Sequence, residues 1–178
     1  MVARRARFAA VTGAPGAGKS TLLEAVSQRG IATGPEVARA ILQSPGGMDL
    51  RAARPVDFAL AMLEAQMRLR ERMADVAGPV LFDRGLPDIV GFLKVADHPV
   101  PEEIDRACRI QRYDGPIFHA PAWRAIYRQD EERIQSWEEA VASDEAVTAA
   151  WRHYGYELVR LPEAAPEIRA QMVVDRLV

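Results

Sequence analysis

The sequence predicts an α/β fold: a doubly wound sheet of five parallel strands with helices on both faces. Three observations predict it. Five short strand-like runs recur, near residues 8–12, 31–34, 78–83, 115–119 and 156–161. Stretches with helical spacing separate them, as crossovers between parallel strands require. A glycine-rich stretch joins the first run to the first helix, and ligands of such sheets bind beyond the carboxyl ends of the strands.

The elements follow in order. Phe8-Ala9-Ala10-Val11-Thr12 is short, apolar and partly β-branched, so it reads as a buried strand. Gly13-Ala14-Pro15-Gly16-Ala17-Gly18-Lys19-Ser20 comes next, with Thr21 after it. This fits Gly-x-x-x-x-Gly-Lys-[Ser/Thr], the P-loop pattern, and it predicts a P-loop NTPase fold. Leu22, Leu23, Ala25 and Val26 then recur at helical spacing. A short second strand ends near Gly34, and a helix begins at about Pro35, since proline suits a first helical turn. Ser44-Pro45-Gly46-Gly47 breaks that helix. Pro55 opens a long helix to about Ala77, with Phe58, Met62, Ala65, Leu69 and Met73 on one stripe. Met62, Met67 and Met73 are read as packing residues.

A third strand ends in Asp83, and a helix follows from Pro87 to Val95. Asp97-His98-Pro99-Val100-Pro101 breaks the chain before a helix over 102–112. The fourth strand ends at His119. The segment from Ala122 to Arg133 is rich in charge and aromatic rings. Ser136 caps a helix over 137–153, with Glu139 placed as in a capping box. A fifth strand and a helix from Pro166 to Leu177 complete the chain. No repeat, low-complexity tract or linker is visible, so residues 1–178 are expected to form one domain with a lid around 122–135.

Composition narrows the function classes. Of 178 residues 49% are hydrophobic and 27% charged, and the net charge is −2. No nucleic-acid partner is expected, since no strongly basic face is implied. The single Cys108 excludes an internal disulfide and a cysteine metal cluster. No apolar run reaches membrane-spanning length, and the glycine loop begins too early for a signal peptide. No membrane is expected, and a cytoplasmic location is.

The chemistry is expected on one rim. Backbone N–H groups of Gly13, Ala14, Pro15 (which has none), Gly16, Ala17, Gly18, Lys19, Ser20 and Thr21 surround the place for a phosphate, and a helix N-terminus adds partial positive charge. Lys19 supplies a cation for the outer phosphates of ATP, and Ser20 a hydroxyl for Mg²⁺. Only Lys19 and Lys94 among the 23 basic residues are lysine, which sets the motif lysine apart from drift. Asp83 ends an apolar strand where a carboxylate holds Mg²⁺, or caps the next helix. Arg84 faces a phosphate or an acceptor. AAA-class ATPases usually place a water-polarising Glu at that position, and this chain lacks it. Glu36 follows the second strand, where it can take a proton from a substrate hydroxyl or complement a helix dipole. Arg39 pairs with Glu36 or helps bind a substrate anion. Arg128 and Arg133, with Arg124 next, are the lid arginines that would close over a nucleotide; a solvated helix face is the plainer reading. His98, His119 and His153 share no metal-ligand spacing.

The P-loop, Pro35-Glu36, Asp83-Arg84-Gly85 and the arginine-bearing segment together resemble the small P-loop kinases, among them nucleoside, deoxynucleoside, thymidylate and nicotinamide riboside kinases. The longer stretches Val11 to Leu22, Pro35 to Arg39, Phe82 to Asp88 and Tyr127 to Arg133 look like a bacterial family of AAA-like predicted ATPases, whose P-loop domain is similar to nicotinamide riboside kinase. The resemblance covers nearly the whole chain. It implies a nucleoside- or nucleotide-kinase-like fold, Glu36 as base, and Asp83 and Arg84 at the metal and acceptor. Gly85 departs from the Ser or Tyr often found after Asp-Arg in those kinases. The leading expectation is transfer of the γ-phosphoryl of ATP to a small-molecule acceptor held by Glu36, Arg39 and Arg84. The alternative is an ATPase or nucleotide-dependent switch acting on a protein partner. A GTP-binding regulator is disfavoured, because neither lysine lies in an Asn/Thr-Lys-x-Asp pattern.

Overall fold

The structure is a computed structural model that describes residues 6–128 and 135–178. The strands are β1 (Arg7–Gly13), β2 (Ala32–Gly34), β3 (Pro79–Asp83), β4 (Ile117–Ala120) and β5 (Leu158–Arg160). The helices are α1 (Lys19–Ser27), α2 (Val37–Gln43), α3 (Gly47–Ala53), α4 (Pro55–Met73), α5 (Leu86–Val95), α6 (Glu102–Ile110), α7 (Trp137–His153) and α8 (Pro166–Leu177).

The five strands form one sheet in the order β2-β3-β1-β4-β5, and every pair is parallel. Strand alternation sends side chains to both faces. Ala9 and Val11 of β1, with Leu81 and Phe118, pack on one side against α1 and α8. Ala10, Val80, Phe82 and Ile117 pack on the other, against α4, α5, α6 and α7. Both faces are therefore covered, which explains the continuous apolar strands.

Register places the functional rim. Val11 lies beside Asp83, Gly13 beside Ala120, and Gly34 beside Phe82. The carboxyl ends of β1, β2, β3 and β4 thus finish together, and the chemistry-bearing residues leave from that edge. Helix α7 comes close enough to α5 to touch its backbone because Gly91 has no side chain. A Cβ there would lie 2.7 Å from Val147 Cγ1.

Several boundaries differ from expectation. No helix is expected between the break at Ser44–Gly47 and Pro55, yet α3 lies there. The Ser44–Gly47 turn is real, with Gly46 left-handed at φ 76, but the chain re-enters a helix at once. Gly47 makes this possible: a Cβ there would meet the Ile41 carbonyl oxygen at 1.9 Å. Helix α4 ends at Met73, the last residue of its apolar stripe and short of Ala77, and α6 ends at Ile110, short of Arg112. Strand β5 begins at Leu158, because Tyr156 turns into the aromatic cluster with Tyr113 and Trp151.

Candidate active site

The glycine loop is shaped by contacts that only glycine permits. At Gly13, φ is 124, and a Cβ would lie 2.0 Å from the Ala120 carbonyl oxygen. The Ala14 N–H donates to that same oxygen at 3.1 Å, tying the loop to the end of β4. Gly16 and Gly18 are left-handed, and Gly18 caps α1. The first turn of α1 carries no acidic side chain of its own to complement its N–H groups and partial positive charge. Ser20 and Thr21 are exposed there.

Lys19 is 7% exposed. Its ammonium folds back on the loop, donating to Ala14 O at 2.5 Å and Gly13 O at 3.4 Å. Burial and the neighbouring Arg84 pull its pKa down to about 8, against the carboxylates of Asp83, Glu36 and Asp88.

Asp83 and Arg84 leave β3 in opposite ways. Asp83 is 5% exposed, and its Oδ1 has no hydrogen-bond partner among the described residues. Burial raises its pKa to about 6; Lys19 and Arg84 oppose this, and Glu36 and Asp88 add to it. Arg84 has φ 69, a left-handed conformation that a non-glycine residue adopts only when its surroundings hold it. Its N–H donates to Val11 O at 2.9 Å. Its side chain crosses the rim: Nε donates to Glu36 Oε1 at 3.0 Å, and one terminal nitrogen donates to Gly13 O at 3.1 Å and Asp88 Oδ1 at 3.2 Å. Burial opposes its charge, but Glu36, Asp88 and Asp83 outweigh that and raise its pKa.

Glu36 occupies the cap position of α2 yet makes no capping bond. Its carboxylate accepts from Arg84 instead of from the first-turn N–H groups. Burial would raise its pKa, but Arg84 and Lys19 prevail and lower it. Arg84, not Arg39, is its ion-pair partner. Arg39 is exposed one turn further along α2. A cavity of about 660 Å³ opens between α1 and α2, lined by Ser20, Thr33, Glu36, Arg39 and Asp83 among others.

The segment after β4 is less tightly joined to this rim. Arg124 is exposed and lies over the Trp137 ring at 5.2 Å, so it packs on α7. Tyr127 donates to the Gln135 carbonyl and stacks edge-on with Trp137. Arg128 is exposed at the end of the described stretch, and Arg133 lies outside the described residues. His119 is held by Asp144 at 2.7 Å, whose other oxygen accepts the Ala122 N–H at 3.0 Å. It fastens the start of this segment to α7. Among the described residues no three His, Cys, Asp or Glu side chains gather as a metal cage, and no helix is long and apolar enough to cross a membrane.

Two site-building residues escaped the sequence reading. Asp88 is 6% exposed and accepts four bonds: Thr12 Oγ1 at 2.5 Å and Arg84 on Oδ1, the Gly85 N–H and Trp151 Nε1 at 2.9 Å on Oδ2. It thereby locks Arg84 in place. The signal was its spacing of four from Arg84. Arg169 of α8 is 3% exposed and donates to Ala17 O at 2.9 Å. In a trans peptide C=O and N–H point oppositely, so this bond turns the Gly18 N–H away from Arg169. Its signal was an arginine sharing a helical stripe with Val173 and Leu177.

A family model of an AAA domain matches residues 8–169. The chain belongs to that family. No curated protein matches it significantly. Solved structures extend the likeness to the fold of this AAA-domain protein. It is similar to a deoxyadenosine kinase from M. mycoides with bound dATP, at 16% identity and a TM-score of 0.72, over 96% of this chain and 98% of the other. It is also similar to thymidylate kinases. One, from Ehrlichia chaffeensis, is 14% identical with a TM-score of 0.63, over 97% and 99% of the two chains. Another, from Candida albicans, is 10% identical with a TM-score of 0.62, over 94% and 89%. The chain thus has the P-loop α/β fold of nucleoside and nucleotide kinases.

Proposed function

We propose that this protein is an ATP- and Mg²⁺-dependent phosphotransferase that moves the γ-phosphoryl to a small-molecule acceptor. The observation that carries this is the Glu36–Arg84 pair at 3.0 Å, set where the phosphate loop meets the cavity between α1 and α2. A carboxylate held ionised beside such a cavity is what deprotonation of an acceptor hydroxyl needs. The residue after Asp83 is an arginine committed to Glu36 and Asp88, not a carboxylate able to polarise water. That weighs against hydrolysis as the main activity.

The roles follow from the charges. The loop N–H groups and Lys19 hold the phosphates, Lys19 exchanging its loop carbonyls for phosphate oxygens. The orphaned Asp83 Oδ1 and the Ser20 hydroxyl both line the cavity and suit a magnesium ion. Bound there, magnesium would offset charge on the transferred phosphoryl. Glu36 takes the acceptor hydroxyl proton as that oxygen bonds to phosphorus, and the bond from phosphorus to ADP breaks. Arg128 and Arg133 are assigned to charge on the equatorial oxygens, within a lid around 122–135 of a single domain.

The test is acceptor-dependent ADP release, with mass detection of the phosphorylated product. Glu36→Gln should keep ATP affinity within about twofold and cut transfer by about 10² to 10⁴. Stimulation by a protein and by no small molecule would replace this reading with the nucleotide-dependent switch.

A further inference from the structure

Resting on the phosphotransferase reading, we infer that the acceptor is an unphosphorylated hydroxyl compound, neutral or amine-bearing, and not a phosphate monoester. The charge around the cavity carries this inference. Its described lining has three carboxylates, Glu24, Glu36 and Asp83, against one cation, Arg39. Arg39 is exposed on α2, with the Glu36 carboxylate one turn before it. Arg84 does not make up the difference. Its charge is matched by Glu36 at 3.0 Å and Asp88 at 3.2 Å, and the terminal nitrogen that reaches Asp88 also donates to Gly13 O at 3.1 Å. Lys19 faces the loop.

A phosphate monoester brings a charge of about −1.5 to −2 at pH 7 and three acceptor oxygens. Recognition of such a group uses several cationic donors, most often paired arginine forks. Here it would meet one exposed arginine and no paired fork, with Glu24 on the same rim, beside ATP phosphates that are themselves anionic. A hydroxyl or ammonium group meets the opposite. The Glu24 and Glu36 carboxylates accept hydrogen bonds, while Ser27, Gln28, Thr33 and Gln43 supply neutral donors and acceptors around the same space. The volume of about 660 Å³ suits a molecule the size of a sugar, a nucleoside or an aminocyclitol.

The experiment measures kcat/KM for acceptor-dependent ADP release from Mg·ATP with three matched sets. These are neutral sugars and nucleosides, aminosugars and aminocyclitols, and the monophosphates of the same compounds. The best unphosphorylated acceptor should exceed its own monophosphate at least tenfold. Glu24→Lys, which adds a cation to the rim, should narrow that ratio threefold or more. A monophosphate that equals or exceeds its parent compound overturns the inference and leaves phosphotransfer standing. An unchanged ratio in Glu24→Lys overturns the electrostatic basis. No acceptor in any set above the hydrolysis background overturns phosphotransfer, and the inference falls with it.

Discussion

Replacing Asp88 by asparagine tests the frame that holds Arg84. The change keeps shape and volume but turns one acceptor oxygen into an NH₂ donor. If that NH₂ faced Gly85 N–H and Trp151 Nε1, two donors would confront a third, and none could give way. Facing the other way, it meets Thr12 Oγ1, which can rotate to accept, and Arg84, which cannot. The second orientation is the cheaper one. Its cost is the loss of one hydrogen bond to a charged group, worth about 1.5–3 kcal/mol in buried surroundings. Arg84 then keeps Glu36 and the Gly13 carbonyl, while its left-handed backbone remains a cost of about 1–3 kcal/mol. We expect urea unfolding of Asp88→Asn to show a stability loss of about 2 kcal/mol, with the slope unchanged. In an Arg84→Leu background the same substitution should cost at least about 1 kcal/mol less, because its main partner is gone. A loss below about 0.5 kcal/mol, or a coupling near zero, would refute the assignment of Asp88 as the residue that positions Arg84.

Lys19→Ala should weaken ATP binding measured by calorimetry, and Lys19→Arg should not restore it, since a planar fork does not fit a cradle built around an ammonium. Asp83 has a raised pKa, so its ionised form destabilises the folded chain above the unfolded value of 3.8 and fully so above about 6. In metal-free buffer Asp83→Asn should therefore be more stable than wild type at pH 8, by up to about 3 kcal/mol, with the gain vanishing below pH 4; the same variant should need more Mg²⁺ for turnover. Cys108 is 1% exposed and burial pushes its thiol up to about 12, so iodoacetamide at pH 8 should label it only after denaturation.

Local chemistry made most of the sheet and the rim legible. The glycine loop was visible because strand, Gly-rich turn and helix occur within twenty residues and each glycine answers a backbone need. Asp83, Arg84 and Glu36 were visible because they stand where apolar runs stop. The order β2-β3-β1-β4-β5, in contrast, is a property of pairing between distant segments. Asp88 and Arg169 were missed for the same reason. Asp88 looks like an ordinary first-turn acid until Thr12 and Trp151, far away in sequence, converge on it. Arg169 looks like a surface charge until α8 packs beneath the phosphate loop. Helix α3 was hidden by the glycines that make it possible, since Gly46-Gly47 reads as an end and here is also a beginning.

The rim divides into side chains bonded to one another and side chains that are not. Glu36, Arg84, Asp88 and Gly13 form a connected set whose bonds are all made without a ligand. Among the described residues Lys19 donates to the loop carbonyls of Gly13 and Ala14, and Asp83 Oδ1 has no hydrogen-bond partner. On the proposed reading, binding a nucleotide and metal would ask one ammonium to change partners and one carboxylate to gain one, while the Glu36–Arg84 pair would stay fixed. Such preorganisation puts the reacting groups in place before the substrate arrives, which is where electrostatic catalysis draws its effect. On the same reading it would separate two functions along one strand end, with Asp83 serving the phosphate side and Arg84 holding Glu36 for the acceptor.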